Sequence, residues 1–115
     1  MNAMINIFKV LSDETRLRIL LLLNSKTLCV CQLQAIMDEA QPKISKNLGR
    51  LRDLGLVTVT KQEKLSFYSL DASSTALTDI LNITFENLKS DETIMNDMER
   101  LNDVDGYIQV KDFAN

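Results

Sequence analysis

The chain has no histidine, a single proline, three glycines and two cysteines in 115 residues, and each scarcity removes a class of chemistry. Without an imidazole base or a glycine-rich phosphate loop, no plausible hydrolytic constellation can be assembled, so an enzyme is not expected. No apolar run reaches the ~18 residues of a membrane-spanning helix. Met1-Asn2-Ala3-Met4 lacks the charged lead of a secretory signal. The expectation is a soluble, cytoplasmic protein with no membrane partner.

What is present is a chain with 45% apolar residues, long enough for one modest core that a partner subunit would help to stabilise. The two cysteines, Cys29 and Cys31, stand one residue apart. So short a loop strains a disulfide, and a reducing compartment favours thiols. A C-x-x-C motif in a βαβ setting, the usual mark of a dithiol redox catalyst, is missing. A small dithiol redox or metal-carrier protein nevertheless stays open as an alternative.

The net charge of −3 conceals segregation. Residues 1–40 balance four bases against four acids. Residues 41–64 hold six bases against Asp53 and Glu63, and residues 65–115 hold three bases against ten acids. A local basic stripe is what phosphate contacts require, because counterion release depends on the charge at the interface and not on the molecular total.

Periodicity predicts five or six helices and one hairpin. Ile5, Phe8, Val10 and Leu11 mark a short first helix, and Ser12-Asp13-Glu14 offers the cap of a second. Leu17 and Ile19 to Leu23 make that second helix apolar nearly all round, so it is expected at the centre of the core. Leu33, Ile36 and Met37 mark a short helix ending near Asp38-Glu39. Gln41-Pro42 restarts the chain, since proline is well tolerated at a first helical position. Ile44, Leu48, Leu51 and Leu54 then form an amphipathic stripe stopped by Gly55.

Beyond Gly55 the period drops to two. Leu56 to Thr60, a turn at Gln62-Glu63-Lys64, and Leu65 to Leu70 predict a two-stranded hairpin that must lean on the helices. Helix, helix and hairpin with a basic tip is the winged helix-turn-helix layout, mainly α with a two-stranded β-hairpin wing. From about Ser73 to Lys89 a helix carries Leu77, Ile80, Leu81, Thr84, Phe85 and Leu88 on one face. That is more apolar stripe than so small a core can cover. Leu77, Ile80, Leu81, Thr84 and Leu88, joined by Phe8, are therefore expected to form a homodimer face. Ser90-Asp91-Glu92 opens a last helix through Leu101. Residues 1–101 are read as one DNA-binding and dimerisation domain, and 102–115 as an acidic, mobile tail.

Leu28-Cys29-Val30-Cys31-Gln32-Leu33, Gln41-Pro42-Lys43-Ile44-Ser45-Lys46-Asn47-Leu48, Leu51-Arg52 and Leu54-Gly55-Leu56-Val57 resemble the arsenical-resistance branch of the ArsR/SmtB repressor family. Ser12-Asp13-Glu14-Thr15-Arg16-Leu17-Arg18-Ile19-Leu20 is similar to that family's second helix. The resemblance runs from about residue 5 to about residue 90. It implies a dimeric winged-helix repressor that holds its operator when metal-free and releases it when a toxic metal or metalloid binds, with Cys29 and Cys31 as ligands. The similar pattern often has a third cysteine where this chain has Gln34. Having no histidine, the chain cannot build the His-rich zinc or nickel sites that similar members place on the last helix.

The chemistry of the residues points the same way. Thiolates are soft ligands that favour thiophilic ions. Two of them fall short of a closed tetrahedral zinc site unless carboxylates or a second subunit contribute. Arsenite or antimonite leads as inducer, with a water, hydroxide or outside thiol completing the shell. Cadmium, lead, copper(I) and dithiol oxidation stay open. Residues i and i+2 of a regular helix point about 200° apart, so one ion held by both sulfurs requires a non-helical or distorted first turn. Ligand binding is then expected to deform the start of the Leu33–Met37 helix and shift residues 41–54 against the dimer mate.

For double-stranded operator DNA, the helix beginning at Gln41 is expected in the major groove. Gln41, Lys43, Ser45, Lys46 and Asn47 are candidates for base edges, and Arg50 and Arg52 for phosphates. Gln62 and Lys64 flank the wing tip. Glu63 stands there where the similar pattern usually has glycine, and its carboxylate is unfavourable near phosphate. A winged helix that pairs only with other proteins is a further alternative, which the acidic tail fits and the Lys43 to Arg52 stripe does not.

Overall fold

The computed structural model describes residues 1–104. Its elements run α1 (Asn2–Leu11), α2 (Glu14–Ser25), β1 (Leu28–Cys29), α3 (Val30–Met37), α4 (Gln41–Asp53), β2 (Val57–Gln62), β3 (Leu65–Leu70), α5 (Thr75–Leu88) and α6 (Glu92–Leu101).

Helix α2 is the hub. Its Asp13 cap accepts a hydrogen bond from the Arg16 N–H at 3.0 Å, and Ile19 to Leu23 are all buried. Each fully buried leucine or isoleucine there contributes roughly 1.5–3 kcal/mol by leaving water. Around α2 pack α1, through Ile7 and Val10, together with α4, α5 and α6. In α4 the predicted stripe buries Ile44, Leu48 and Leu51 completely.

Helix α4 ends as glycine dictates. Gly55 takes φ +75°, its N–H donates to the Arg52 carbonyl at 2.9 Å, and the Leu56 N–H donates to the Leu51 carbonyl at 3.0 Å. This paired return satisfies two carbonyls that the helix end would otherwise leave open, and it turns the chain straight into β2.

The expected hairpin forms, with Val57 opposite Leu70 and Gln62 opposite Leu65. A third strand joins it. Leu28 and Cys29 pair antiparallel with Tyr68 and Phe67, giving the sheet order β1-β3-β2. The strand is two residues long, too short for any alternation to announce it.

Two expectations need correction. Leu77 and Leu81 are fully buried within the protomer core, so they cannot face a mate. Ile80, Thr84 and Leu88 are half-buried, while Phe8 is 58% exposed and Ile83, not anticipated, is 67% exposed. Periodicity found the apolar face of α5, but α2 covers its central line. The expected boundary after Leu101 also falls short, because Val104 is completely buried in the same core. The remainder of the expected tail, 105–115, lies outside the described residues.

Candidate functional site

Cys29 is the last residue of β1 and the N-cap of α3, with extended backbone at φ −91° and ψ 170°. Cys31 lies in the first helical turn. Because Cys29 stands outside the helix, the two side chains converge instead of diverging, and their sulfurs are 2.8 Å apart. The non-helical start that the spacing called for is thus present at Cys29, and no distortion of the first turn is needed to bring the sulfurs together. Cys29 is buried and Cys31 half-buried. The buried Gln32 fixes the cap, its Oε1 accepting the Cys29 N–H at 2.9 Å. Pairing of Cys29 with Phe67 ties the same residue to the wing strand.

The pair opens on a cavity of about 320 Å³ whose walls include Gln34, Gln41, Lys64 and Ser66. One pocket thus touches the helix that carries the thiols, the first residue of α4 and the tip of the wing. Among the described residues, no group of three or more His, Cys, Asp or Glu side chains comes together to hold a metal ion.

The nucleic-acid candidates fall on the exposed side of α4. Gln41, Lys43, Lys46, Arg50 and Arg52 are exposed, as are Gln62 and Lys64 on the wing, while Ser45 and Asn47 are half-buried. Some donors are already engaged. Gln41 Nε2 donates to Ser45 Oγ at 2.8 Å, Asn47 Nδ2 donates to the Lys43 carbonyl at 2.9 Å, and Lys43 Nζ lies 3.3 Å from Glu39. Any base reading by Gln41 or Asn47 must first exchange these bonds. At the tip, Glu63 occupies φ +57°, the left-handed region glycine would favour.

A set of residues that patterning did not find holds the far end of α3. Arg18 of α2 makes a two-pronged ion pair with the buried Asp97 of α6, and its Nη2 also donates to the Met37 carbonyl at 3.1 Å. Arg100 of α6 donates from Nη1 to the Ile36 carbonyl at 2.9 Å. The hydrogen bond to Asp97 is the main cause that raises the Arg18 pKa above its ordinary value, so the guanidinium stays charged. The only sequence signal was a lone acid, Asp97, at helical spacing from Ile94 and Leu101 on the apolar side of α6.

Helix, turn, helix and hairpin in this order, with a basic exposed face on the second helix, define a winged helix-turn-helix regulator. Comparison with known proteins narrows the class. Residues 13–59 match the family described as bacterial regulatory protein, arsR family. Over 67 residues the chain is 51% identical to the arsenical resistance operon repressor of Escherichia coli K12, a match covering 57% of each chain. The chain spans little more than half the length of this and other curated relatives that it matches. Among solved structures it is similar to HlyU from Vibrio cholerae N16961, with TM-score 0.72, 27% identity, and coverage of 77% of this chain and 95% of that one. It is also similar to the AntR antimony-specific transcriptional repressor, with TM-score 0.66, 27% identity, and coverage of 77% and 79%. The chain belongs to the arsR family of bacterial regulatory proteins. These relatives are regulators of transcription, not enzymes. Among the described residues no helix is long and apolar enough to cross a membrane.

Proposed function

We propose that this protein is a homodimeric repressor that binds operator DNA through α4 and the wing and leaves it when trivalent arsenic or antimony binds Cys29 and Cys31. The observation that carries the reading is the shared pocket: two convergent sulfurs with Gln41 and Lys64 in the same walls. The chemistry of the donors fits a soft, thiophilic ligand. The names of the E. coli relative and of AntR, an arsenical-resistance and an antimony-specific repressor, support the same choice.

A ligand held by both sulfurs ties Cys31 to Cys29. Cys29 is held by β3 and by Gln32, so any adjustment to the ligand falls on Cys31 and the pocket walls. Those walls include two candidate DNA contacts, and a coupling of about 1–3 kcal/mol between ligand and DNA is typical of such switches. Dimerisation in this reading uses Phe8 with Ile80, Thr84 and Leu88, and places two copies of α4 on one duplex.

A second reading, oxidation of the pair by a peroxide, draws on the same convergence of the two sulfurs. Fluorescence anisotropy of the reduced protein on its own upstream DNA separates the two. Low-micromolar arsenite or antimonite should release the DNA, and Cys29→Ser and Cys31→Ser proteins should stay bound. Release by peroxide or cadmium alone would replace the ligand, and failure to bind the DNA would end the repressor reading.

A further inference from the structure

We propose that the pocket beside Cys29 and Cys31 binds an anionic low-molecular-weight thiol, which supplies the third sulfur to arsenic(III) held by the two cysteines. The inference rests on the metalloid reading above. Arsenic(III) takes three ligands, and this chain has two cysteines and no histidine. Gln34, one turn beyond Cys31 and in the pocket wall, offers an amide instead of a soft donor.

The size and charge of the pocket point to an organic co-ligand. It is an open cleft of about 320 Å³, within the size range of small-molecule sites, so a group larger than a hydroxide has room beside the sulfurs. Its lining holds one cation, Lys64, with the amides of Gln34 and Gln41 and the hydroxyl of Ser66, and no carboxylate. That set complements a small thiol bearing carboxylates. The chemistry balances without an oxidant: arsenous acid condenses with three thiols, and each As–S bond that forms expels one water made from an As–OH and a thiol proton. The co-ligand's carboxylates then lie between Gln41 and Lys64, where they neutralise wing charge and oppose DNA phosphate.

Native mass spectrometry of the reduced full chain, with arsenite and either glutathione or the neutral 2-mercaptoethanol, tests this without using DNA. The expected species carries one arsenic and one glutathione per chain, retained in preference to the 2-mercaptoethanol adduct. Lys64→Gln should weaken glutathione retention about two- to fivefold, the worth of one exposed ion pair. Gln34→Cys, which supplies a third thiol in cis, should bind arsenic and exclude glutathione. Arsenic bound with no glutathione in millimolar glutathione would overturn the proposal, as would equal retention of the two thiols with no effect of Lys64→Gln. If arsenic and glutathione both bind while DNA stays bound in the anisotropy assay, the repressor-release reading fails and the co-ligand site stands.

Discussion

Arg18 and Asp97, 79 positions apart, meet in a two-pronged ion pair, with Arg18 Nε and Nη2 each donating to an Asp97 carboxylate oxygen at 2.8 Å. The pair binds the central helix to the last one, and the same guanidinium reaches the end of α3 through the Met37 carbonyl. Removing one partner leaves the other charge buried, which costs about 3–5 kcal/mol, whereas replacing both with apolar groups is often neutral. Asp97→Ala should therefore lower stability by about 3 kcal/mol in urea unfolding, at the low end of that range because Arg18 keeps slight exposure. Arg18→Met with Asp97→Leu should recover most of the loss. A double variant as unstable as the single one would show that packing, not charge, is the cause. Because the folded-state pKa of Arg18 is raised, its contribution is fully present below the ordinary guanidinium range and fades only as pH rises through the raised value. No neutral-range pH dependence is expected from it.

Arg100 should matter to switching more than to stability. Helix α3 carries the thiols at its first turn and is held at its last by Arg18 and Arg100. Arg100→Ala removes one charge-assisted bond from an exposed side chain, costing about 1 kcal/mol. With that end loosened, motion at Cys31 is absorbed within α3 instead of reaching α4. The ratio of DNA affinities without and with arsenite should shrink several-fold while arsenite still binds. An unchanged ratio in anisotropy titrations would remove Arg100 from the coupling path.

Much of this was legible in the sequence because it is local. Ile44, Leu48 and Leu51 repeat at the period of a helix, Gly55 closes it, and Asp13, Ser74 and Asp91 each cap a helix with a side-chain bond. The hairpin announced itself by its change of period. What was hidden depends on distant partners. Strand Leu28–Cys29 exists only because Tyr68 and Phe67 lie beside it, and helical geometry alone would have sent the two sulfurs apart. Periodicity marked the faces of Leu77 and Leu81 but not that α2 covers them. Asp97 and Arg100 find their partners, Arg18 and the end of α3, only through the fold.

The wing tip should tolerate, and gain from, glycine. Glu63 holds φ +57°, a conformation that costs an L-residue roughly 1–2 kcal/mol, while glycine loses about 0.5–1 kcal/mol more backbone entropy on folding. Glu63→Gly should thus stabilise by about 0.5 kcal/mol, seen as a small rise in Tm. It also removes the one carboxylate between Gln62 and Lys64, so DNA affinity at low salt should rise. A fall in affinity would mean that Glu63 makes a contact of its own.

Salt dependence can rank the lysines of α4. Each phosphate contact contributes about −0.9 to the slope of log K against log salt on duplex DNA. Lys46 is exposed on the face that α4 presents to solvent, whereas Lys43 lies 3.3 Å from Glu39, which is itself 3.8 Å from Arg18. Lys43 therefore brings a charge that is already partly matched. Lys46→Ala should reduce the magnitude of the slope by about 1, and Lys43→Ala by less. Glu39→Gln should release Lys43 and steepen the slope, which a lysine without a role at the phosphates could not do. Anisotropy titrations across a salt series decide it: if Lys46→Ala leaves the slope unchanged, the phosphate contacts belong to Arg50, Arg52 and the wing, and α4 enters the groove rotated away from Lys46.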